Sequence, residues 1–316
     1  MAILNAFSGV ATIFLLVAIG FILIRSGKLS HEAMTALPRF ITTIALPPFL
    51  LRTATTTLSK EQLSVLFTET RIPFFSIFIA FFIAFLLAHI LQTKWERKGM
   101  FQAGFATSNA MAIGLPINLA LFGEAGLPYA LMYFVANATS FWTIGCYMIS
   151  RSGRAPNASI LSLETVKRVL SPPVVGLCIG LLLVCFDIKL PFFLDKTLKY
   201  LGDTVVGLST LYIGMMIGTI RHEALFIDKD ILAVVLGRFI ICPLLILFLT
   251  WLLPIDPLMR NVFIIQSSLP VMVNAAILSA YYKADTLYAT ILVSITTLLS
   301  LITIPLYMAL IILFLS

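Results

Sequence analysis

Ten long apolar segments, joined by short polar connections, occupy most of this sequence and constrain its fold more than any other feature. An apolar run of about 20 residues crosses the hydrocarbon core of a bilayer as a single helix. Charged residues make up only 11% of the 316 residues, whereas about a quarter of a soluble domain is charged. The sequence therefore predicts an all-α integral membrane protein with ten transmembrane helices and the lipid bilayer as a permanent partner. The ten segments are Ile3–Ile24, Ala33–Leu51, Ile72–Leu91, Gly99–Phe122, Pro128–Ile149, Val169–Phe186, Leu198–Ile220, Ile231–Leu253, Met259–Tyr281 and Thr286–Phe314.

Lys and Arg residues are unevenly divided between the two sets of connecting loops, with 13 on one side and 7 on the other. The positive-inside rule makes the richer side cytoplasmic, so both termini are expected to face outward. These loops account for the net charge of +7, and no nucleic-acid partner is expected. The N-terminus lacks the basic region of a cleaved signal peptide, so the first segment is interpreted as a retained helix.

The stretch Thr107–Asn118 lies inside an apolar segment but has the composition of a broken helix. Gly114 and Pro116 weaken helical structure, and Pro116 also removes one backbone donor. Non-helical backbone at membrane depth is tolerated only where protein covers it or where it lines a wet cavity. Polar side chains flank the break at Ser108, Asn109 and Asn118.

A second broken stretch, Gln266–Asn274, contains Pro270 in an equally apolar setting. Its polar residues are Gln266, Ser267, Ser268 and Asn274. Sliding the chain on itself by about 159 residues places Asn109 on Ser268 and the first five helices on the last five. Because five is odd, the second half has inverted topology. We expect a first repeat over residues 1–150, a short cytoplasmic linker over 151–165 and a second repeat over 166–316.

Paired broken helices in inverted repeats indicate a transporter whose substrate site lies where the breaks meet. The ends of half-helices and neutral amides can hold a small anion without a buried cation. We predict a substrate site made of Asn109, Ser108, Asn118, Gln266, Ser267, Ser268 and Asn274, shaped by Gly114, Pro116 and Pro270. Carboxylates are scarce in the apolar segments, and His31, His89 and His222 share no helix face. No catalytic residue, metal or cofactor is therefore expected.

Several of these residues keep a structural alternative. Asn109 could simply cap the break, and Asn137 is favoured as an interhelical hydrogen-bond partner. Pro47 is expected to kink the second helix. Arg238, the one basic residue well inside a span, favours a structural or gating role, with a stem long enough to reach the cytoplasmic surface. Asp203 is a candidate proton or cation ligand, with a capping role at the outer end of helix 7 as the alternative.

The fourth segment resembles the auxin efflux carrier family. Asn109 precedes Gly114-Leu-Pro116, and Leu121-Phe122-Gly123 follows. The matching C-terminal features are Ser268-Leu-Pro270, Asn274, Ala280-Tyr281-Tyr282 with Asp285, and the run Thr296–Leu306. The resemblance covers the whole chain, and its short central loop is similar to that of bacterial members.

That resemblance implies two inverted five-helix repeats with broken, crossing helices 4 and 9, and a scaffold domain beside a mobile transport domain. It also implies elevator-type alternating access, a homodimer, and organic-anion substrates such as malonate, malate or auxin. Asn109 would then contact the substrate carboxylate. Two alternatives stay open: a sodium-coupled symporter resembling the bile acid carriers, and a membrane receptor without flux. Efflux down the membrane potential is energetically adequate for a monovalent anion.

Overall fold

The computed structural model describes residues 15–29, 32–58, 60, 63, 68–153, 172–219, 227–253 and 255–314. These residues are almost entirely helical. The helices are α1 (Leu15–Arg25), α2 (Ala33–Phe40), α3 (Leu46–Thr57), α4 (Arg71–Ile90), α5 (Trp95–Ala106), α6 (Leu115–Ser140), α7 (Cys146–Ser152), α8 (Pro172–Cys185), α9 (Phe192–Gly218), α10 (Lys229–Leu236), α11 (Cys242–Leu252), α12 (Pro257–Ser267), α13 (Val273–Tyr281) and α14 (Thr286–Phe314).

π-helical turns occur at four places: three of them join consecutive helices into longer continuous helical segments, and the fourth, Ala110–Gly114, leads into the start of α6. These turns are Ile41–Ala45, Ala110–Gly114, Phe141–Gly145 and Gly237–Ile241. Such turns widen a helix by one residue per turn, and they are frequent at functional sites. Three of the four directly precede a helix with a proline in its first turn, at Pro47 in α3, Pro116 in α6 and Pro243 in α11.

Four continuous helical segments of the described chain are long and apolar enough to cross a membrane. They are Arg71–Ile90, Ala110–Ser152, Lys229–Leu252 and Thr286–Phe314, and two shorter apolar helices are α1 and α8. The third, eighth and tenth predicted segments match α4, α10–α11 and α14 closely. The fourth and ninth predicted segments are both interrupted, as the sequence predicts: the fourth is divided between α5 and α6, and the ninth between α12 and α13.

The boundary expected between the fourth and fifth segments is a kink within α6. Gly123 has φ 64° and ψ −161°, a backbone conformation that favours glycine, inside an otherwise continuous helix. Much of the first predicted segment, over residues 3–14, lies outside the described residues. Most of the predicted linker, over residues 154–165, also lies outside them.

The chain divides into two compact units that do not follow the two sequence halves. The first unit comprises Met1–Thr68, Met111–Pro128 and Leu170–Ile220. The second unit comprises Glu69–Ala110, Tyr129–Val169 and Arg221–Ser316. Each unit therefore takes segments from before and after the centre of the sequence.

Helices of the first unit approach one another closely at glycines. α8 and α9 both pack on α3. A Cβ atom added to Gly176 of α8 would lie 2.4 Å from the carbonyl oxygen of Pro47, and one added to Gly214 of α9 would lie 1.9 Å from that of Val17 in α1. Residues without a side chain let the backbones of membrane helices come into contact. The packing of this unit therefore depends on the absence of side chains at these glycines.

The second unit has a large apolar outer surface. Phe78, Phe82 and Phe85 of α4, together with Phe248 and Trp251 of α11, are all more than half exposed. A soluble monomer rarely exposes so continuous an apolar face. Lipid contact explains it, and the protein is a multi-pass membrane protein.

Candidate functional site

Two short non-helical segments of the second unit pair with each other, although they are far apart in sequence. α5 ends at Ala106, and Thr107 takes an extended conformation. α12 ends at Ser267, and an isolated antiparallel bridge joins Ser108 to Val271. The backbone N–H of Asn109 donates to the carbonyl of Pro270 at 2.9 Å. We call the two segments, Thr107–Asn109 and Leu269–Met272, the crossover.

Side chains from two helices complete the hydrogen bonding of the crossover backbone. The Oδ1 atom of Asn137 accepts from the Ser108 N–H at 2.9 Å, and its Nδ2 atom donates to the Ser108 carbonyl at 2.8 Å. The hydroxyl of Thr296 accepts from the Val271 N–H at 3.2 Å. Asn137 is fully buried, so the expected interhelical hydrogen bonds of this residue are confirmed. Buried backbone groups need such partners where no helix supplies them.

Arg238, in the π-helical turn between α10 and α11, lies beneath the crossover and is completely buried. Its Nε atom donates to the Leu269 carbonyl at 3.2 Å, and its Nη1 atom donates to the Phe105 carbonyl at 3.1 Å. Its Nη2 atom donates to the carbonyl of Ser267. The idea that this side chain extends to the cytoplasmic surface is therefore wrong, because its charge is turned inward to three carbonyl groups.

The serines predicted as anion donors use their hydroxyl groups locally. Ser267 donates to the Ile264 carbonyl at 2.8 Å, and Ser268 donates to the Ile265 carbonyl at 2.9 Å. Both residues are fully buried. Since each hydroxyl has one donor, neither can donate to an anion while these bonds persist. Their observed role is to satisfy the end of α12.

The side chain of Asn109 has no hydrogen-bond partner among the described residues. It is 6% exposed, and its carboxamide makes no hydrogen bond to any residue in the part of the chain that the structure describes. Gln266 donates weakly to the Ala130 carbonyl at 3.4 Å, and its buried Oε1 atom has no partner among the described residues. Asn274 lies half-buried in the first turn of α13. The crossover therefore carries neutral amides with unused hydrogen-bonding capacity.

Four predicted site or shaping residues belong to the first unit. Gly114 ends the π-helical turn, and Pro116 lies in the first turn of α6. The Nδ2 atom of Asn118 donates to the Gly114 carbonyl at 2.8 Å, and its buried Oδ1 atom has no partner among the described residues. Pro47 lies in the first turn of α3 and contacts the backbone near Gly176.

Asp203 does not cap the outer end of a helix. α9 begins at Phe192, so Asp203 lies within the helix. Its carboxylate accepts from the ammonium of Lys199 at 2.6 Å, and the two side chains are 58% and 42% exposed. Such an exposed pair, one turn apart, is an ordinary surface feature. The predicted capping role is wrong, and the geometry does not favour a buried ion ligand.

Arg97 joins two helix starts in the second unit, which the sequence reasoning missed. It pairs with Asp228 and Asp285, each at 2.7 Å. Asp228 caps α10 and Asp285 caps α14 through backbone N–H groups. Burial alone would lower the pKa of Arg97, but Asp285 and Asp228 outweigh it and raise that pKa. Aspartates directly before apolar helices were the available signal, since this is the N-cap position.

The site contains groups that bind rather than react. Among the described residues, no cluster of three or more His, Cys, Asp or Glu side chains could hold a metal ion. A carboxamide offers two N–H donors and one carbonyl acceptor at no net charge. Such groups can hold a carboxylate or another small anion and release it again.

The family and the relatives that this chain matches are all described as transport proteins. The family described as "Membrane transport protein" matches residues 5–308. An uncharacterized transporter of Methanocaldococcus jannaschii is 27% identical over 303 residues, covering 94% of this chain and 96% of that protein. A Rhizobium meliloti protein named "Putative malonate transporter" is 24% identical over 297 residues, covering 92% of this chain and 91% of that protein.

Proposed function

The chain belongs to the membrane transport protein family, and we propose that within it the protein carries small organic anions, with the substrate carboxylate bound at the crossover. As a family member it is a transporter rather than an enzyme. The single observation that carries the anion proposal is Asn109. This residue places a nearly buried carboxamide, without a hydrogen-bond partner among the described residues, beside a backbone and serine hydroxyls that are already paired.

Charge at the crossover supports an anion held without a direct ion pair. The guanidinium of Arg238 donates to three carbonyl groups at and beside the crossover. The substrate would therefore meet neutral donors beside a guanidinium whose field is largely cancelled. An anion bound by amides alone dissociates more readily than one bound by a buried cation, and a transporter must release what it binds.

The substrate class is proposed from chemistry and from one relative. Small mono- and dicarboxylates, such as malonate, malate and auxin-like acids, match the donor groups. The Rhizobium meliloti relative carries malonate in its name. Malonate is the first compound to test.

The transport cycle is proposed to be elevator-type alternating access within two inverted five-helix repeats. Two features support this. In both halves of the chain a long apolar helix precedes a helix of 11 or 12 residues and then an extended segment. The chain also divides into two compact units, each with its own core. We further propose a homodimer in a bacterial inner membrane with both termini outside, and efflux, in which each monovalent anion leaving gains about 2.3 kcal/mol per 100 mV.

Uptake into liposomes tests the proposal. Reconstituted wild-type protein is expected to accumulate labelled malonate or malate down an imposed gradient, and Asn109→Ala is expected to lose about 90% of that rate, because one charge-assisted hydrogen bond contributes about 1.5 kcal/mol or more. Asn109→Asp should lose more, since it places a negative charge beside the substrate.

Asn261→Ala is the matched control. Asn261 is a buried asparagine of α12 whose carboxamide accepts from Arg260. It should transport like wild type. Unchanged uptake in Asn109→Ala for every acid that the wild type carries would exclude this site. No flux of any acid by the wild type, with binding retained, would favour a receptor.

A further inference from the structure

Both helices that enter the crossover present their C-terminal ends to the same point. α5 has 12 residues and ends at Ala106, and α12 has 11 residues and ends at Ser267. The last four carbonyl groups of any helix have no partner within it. Each helix C-terminus also carries the equivalent of about −0.5 elementary charge. Two such ends brought together in an apolar interior amount to about one negative charge.

Hydrogen bonds from nearby residues satisfy some of these C-terminal carbonyl groups. The Ala103 carbonyl accepts from both the N–H and the hydroxyl of Thr107, at 2.9 and 2.7 Å. The Ile264 and Ile265 carbonyls accept from the Ser268 N–H and from serine hydroxyls. These bonds use neutral donors, and they leave the outermost carbonyls of both helices unpaired.

Arg238 supplies a charged partner to three further carbonyl groups at these ends. Its guanidinium bonds to Phe105 at the end of α5, and to Ser267 and Leu269 at the end of α12. Cys242, one helical turn further on, accepts from Nη1 at 3.5 Å and donates to the Phe105 carbonyl at 3.3 Å. A single positive charge thus meets two half-charges of opposite sign. Without it, the carbonyls would form a cage of oxygen atoms of the kind that binds small cations.

We infer that Arg238 is a positioning residue: a cation attached to the chain that fills a carbonyl cage, holds the ends of α5 and α12 together, and thereby fixes the position of Asn109. The cage belongs chemically to the class of sites that take a guanidinium or a similar small cation. Because Arg238 occupies it permanently, no dissolved cation is needed there during transport. The inference goes beyond the proposed substrate, since it concerns the crossover in any transport cycle.

Chemical rescue tests this directly. Purified Arg238→Ala in detergent is expected to lose about 10 °C of Tm, because three carbonyls lose a charged partner. About 10 mM guanidinium chloride, far below denaturing concentrations, should restore at least half of that loss. Urea at the same concentration should not, because it is neutral.

Arg260→Ala is the matched control. Arg260 is a half-buried arginine of α12, and guanidinium should raise the Tm of this variant no more than that of wild type. Equal responses of the two variants would overturn the inference.

Two further variants test the role of the Arg238 charge if Arg238→Ala does not fold. Arg238→Lys retains the charge, and Arg238→Met retains most of the volume without it. Arg238→Lys should keep a larger share of the wild-type Tm and of the wild-type malonate uptake than Arg238→Met. A higher Tm and faster malonate uptake in Arg238→Met than in Arg238→Lys would mean that Arg238 contributes through packing alone. Absence of malonate uptake would contradict the proposed substrate and leave the Tm experiments unaffected.

Discussion

The two compact units solve the problem of packing membrane helices in opposite ways. In the first unit, helices touch through glycines, and its ion pairs, Arg52–Asp195 and Lys199–Asp203, are at least partly exposed. In the second unit, buried polar side chains hold non-helical backbone in place at the crossover. The first unit should therefore be sensitive to added volume, and the second to the loss of a hydrogen-bonding group. This difference separates structural asparagines from an asparagine available to a substrate.

Asn137→Ala should break the second unit most severely. It removes the partner of both the N–H and the carbonyl of Ser108, and each buried unsatisfied group costs about 1–3 kcal/mol. We expect the free energy of unfolding to fall by about 2–6 kcal/mol, measured as a Tm decrease of about 10 °C in detergent.

Asn109→Ala is the control for that experiment, because it removes the same side chain from a position where it has no hydrogen-bond partner within the described residues. Its Tm should change by less than about 2 °C, as for substitutions away from any packing or hydrogen-bonding feature. Equal losses in the two variants would mean that the side chain of Asn109 is structural.

Gly214→Ala should damage the first unit by volume alone. The added methyl group would lie 1.9 Å from the backbone oxygen of Val17, so α1 and α9 must separate. Overpacking of this kind costs about 1–3 kcal/mol, and thermal unfolding would report it.

Gly207→Ala lies in the same helix, and nothing lies within 4 Å of its added Cβ atom. This control should be neutral or more stable by about 0.5–1 kcal/mol, because alanine is the better helix former. If both glycine variants behave alike, close backbone contact does not determine the packing of the first unit.

Asp203→Asn should have the smallest effect of these changes. Its partner Lys199 is exposed, and exposed ion pairs contribute about 0–1 kcal/mol. Transport should keep its wild-type rate and its wild-type dependence on pH. A loss of transport, or a change in the pH dependence of its rate, would mean that Asp203 couples transport to a proton or cation in the first unit.

Sequence patterns located the breaks but not what holds them. Pro270 lies in the second break, between α12 and α13. Gly114 and Pro116 do not mark the first break, because it lies at Thr107–Asn109 and the helical structure that starts at Ala110 continues through both residues. The pairing of Asn109 with Pro270 agrees with the expectation that the two breaks meet. The three carbonyl partners of Arg238 carry no sequence signal, since a carbonyl belongs to every residue. The serines of α12 were overestimated as donors for the same reason, because hydroxyls at a helix end bond to nearby carbonyls.

The division into two compact units could not be predicted from the order of the segments along the sequence. An internal repeat of about 159 residues suggests two consecutive halves, whereas compactness depends on contacts between distant segments. Met111–Pro128 belongs to the first unit although its neighbours on both sides belong to the second. Hydropathy reports how apolar a segment is and says nothing of its partners.

Equilibrium binding of malonate to the purified protein, measured by calorimetry, tests the central claim most directly. Wild-type protein should bind malonate, and Asn109→Ala should bind it at least about 10-fold more weakly, a difference of about 1.4 kcal/mol, with its Tm unchanged. Asn261→Ala should bind as wild type does. Equal affinities for wild type and Asn109→Ala would contradict the account, because the substrate would then be held by groups other than the free amide of the crossover.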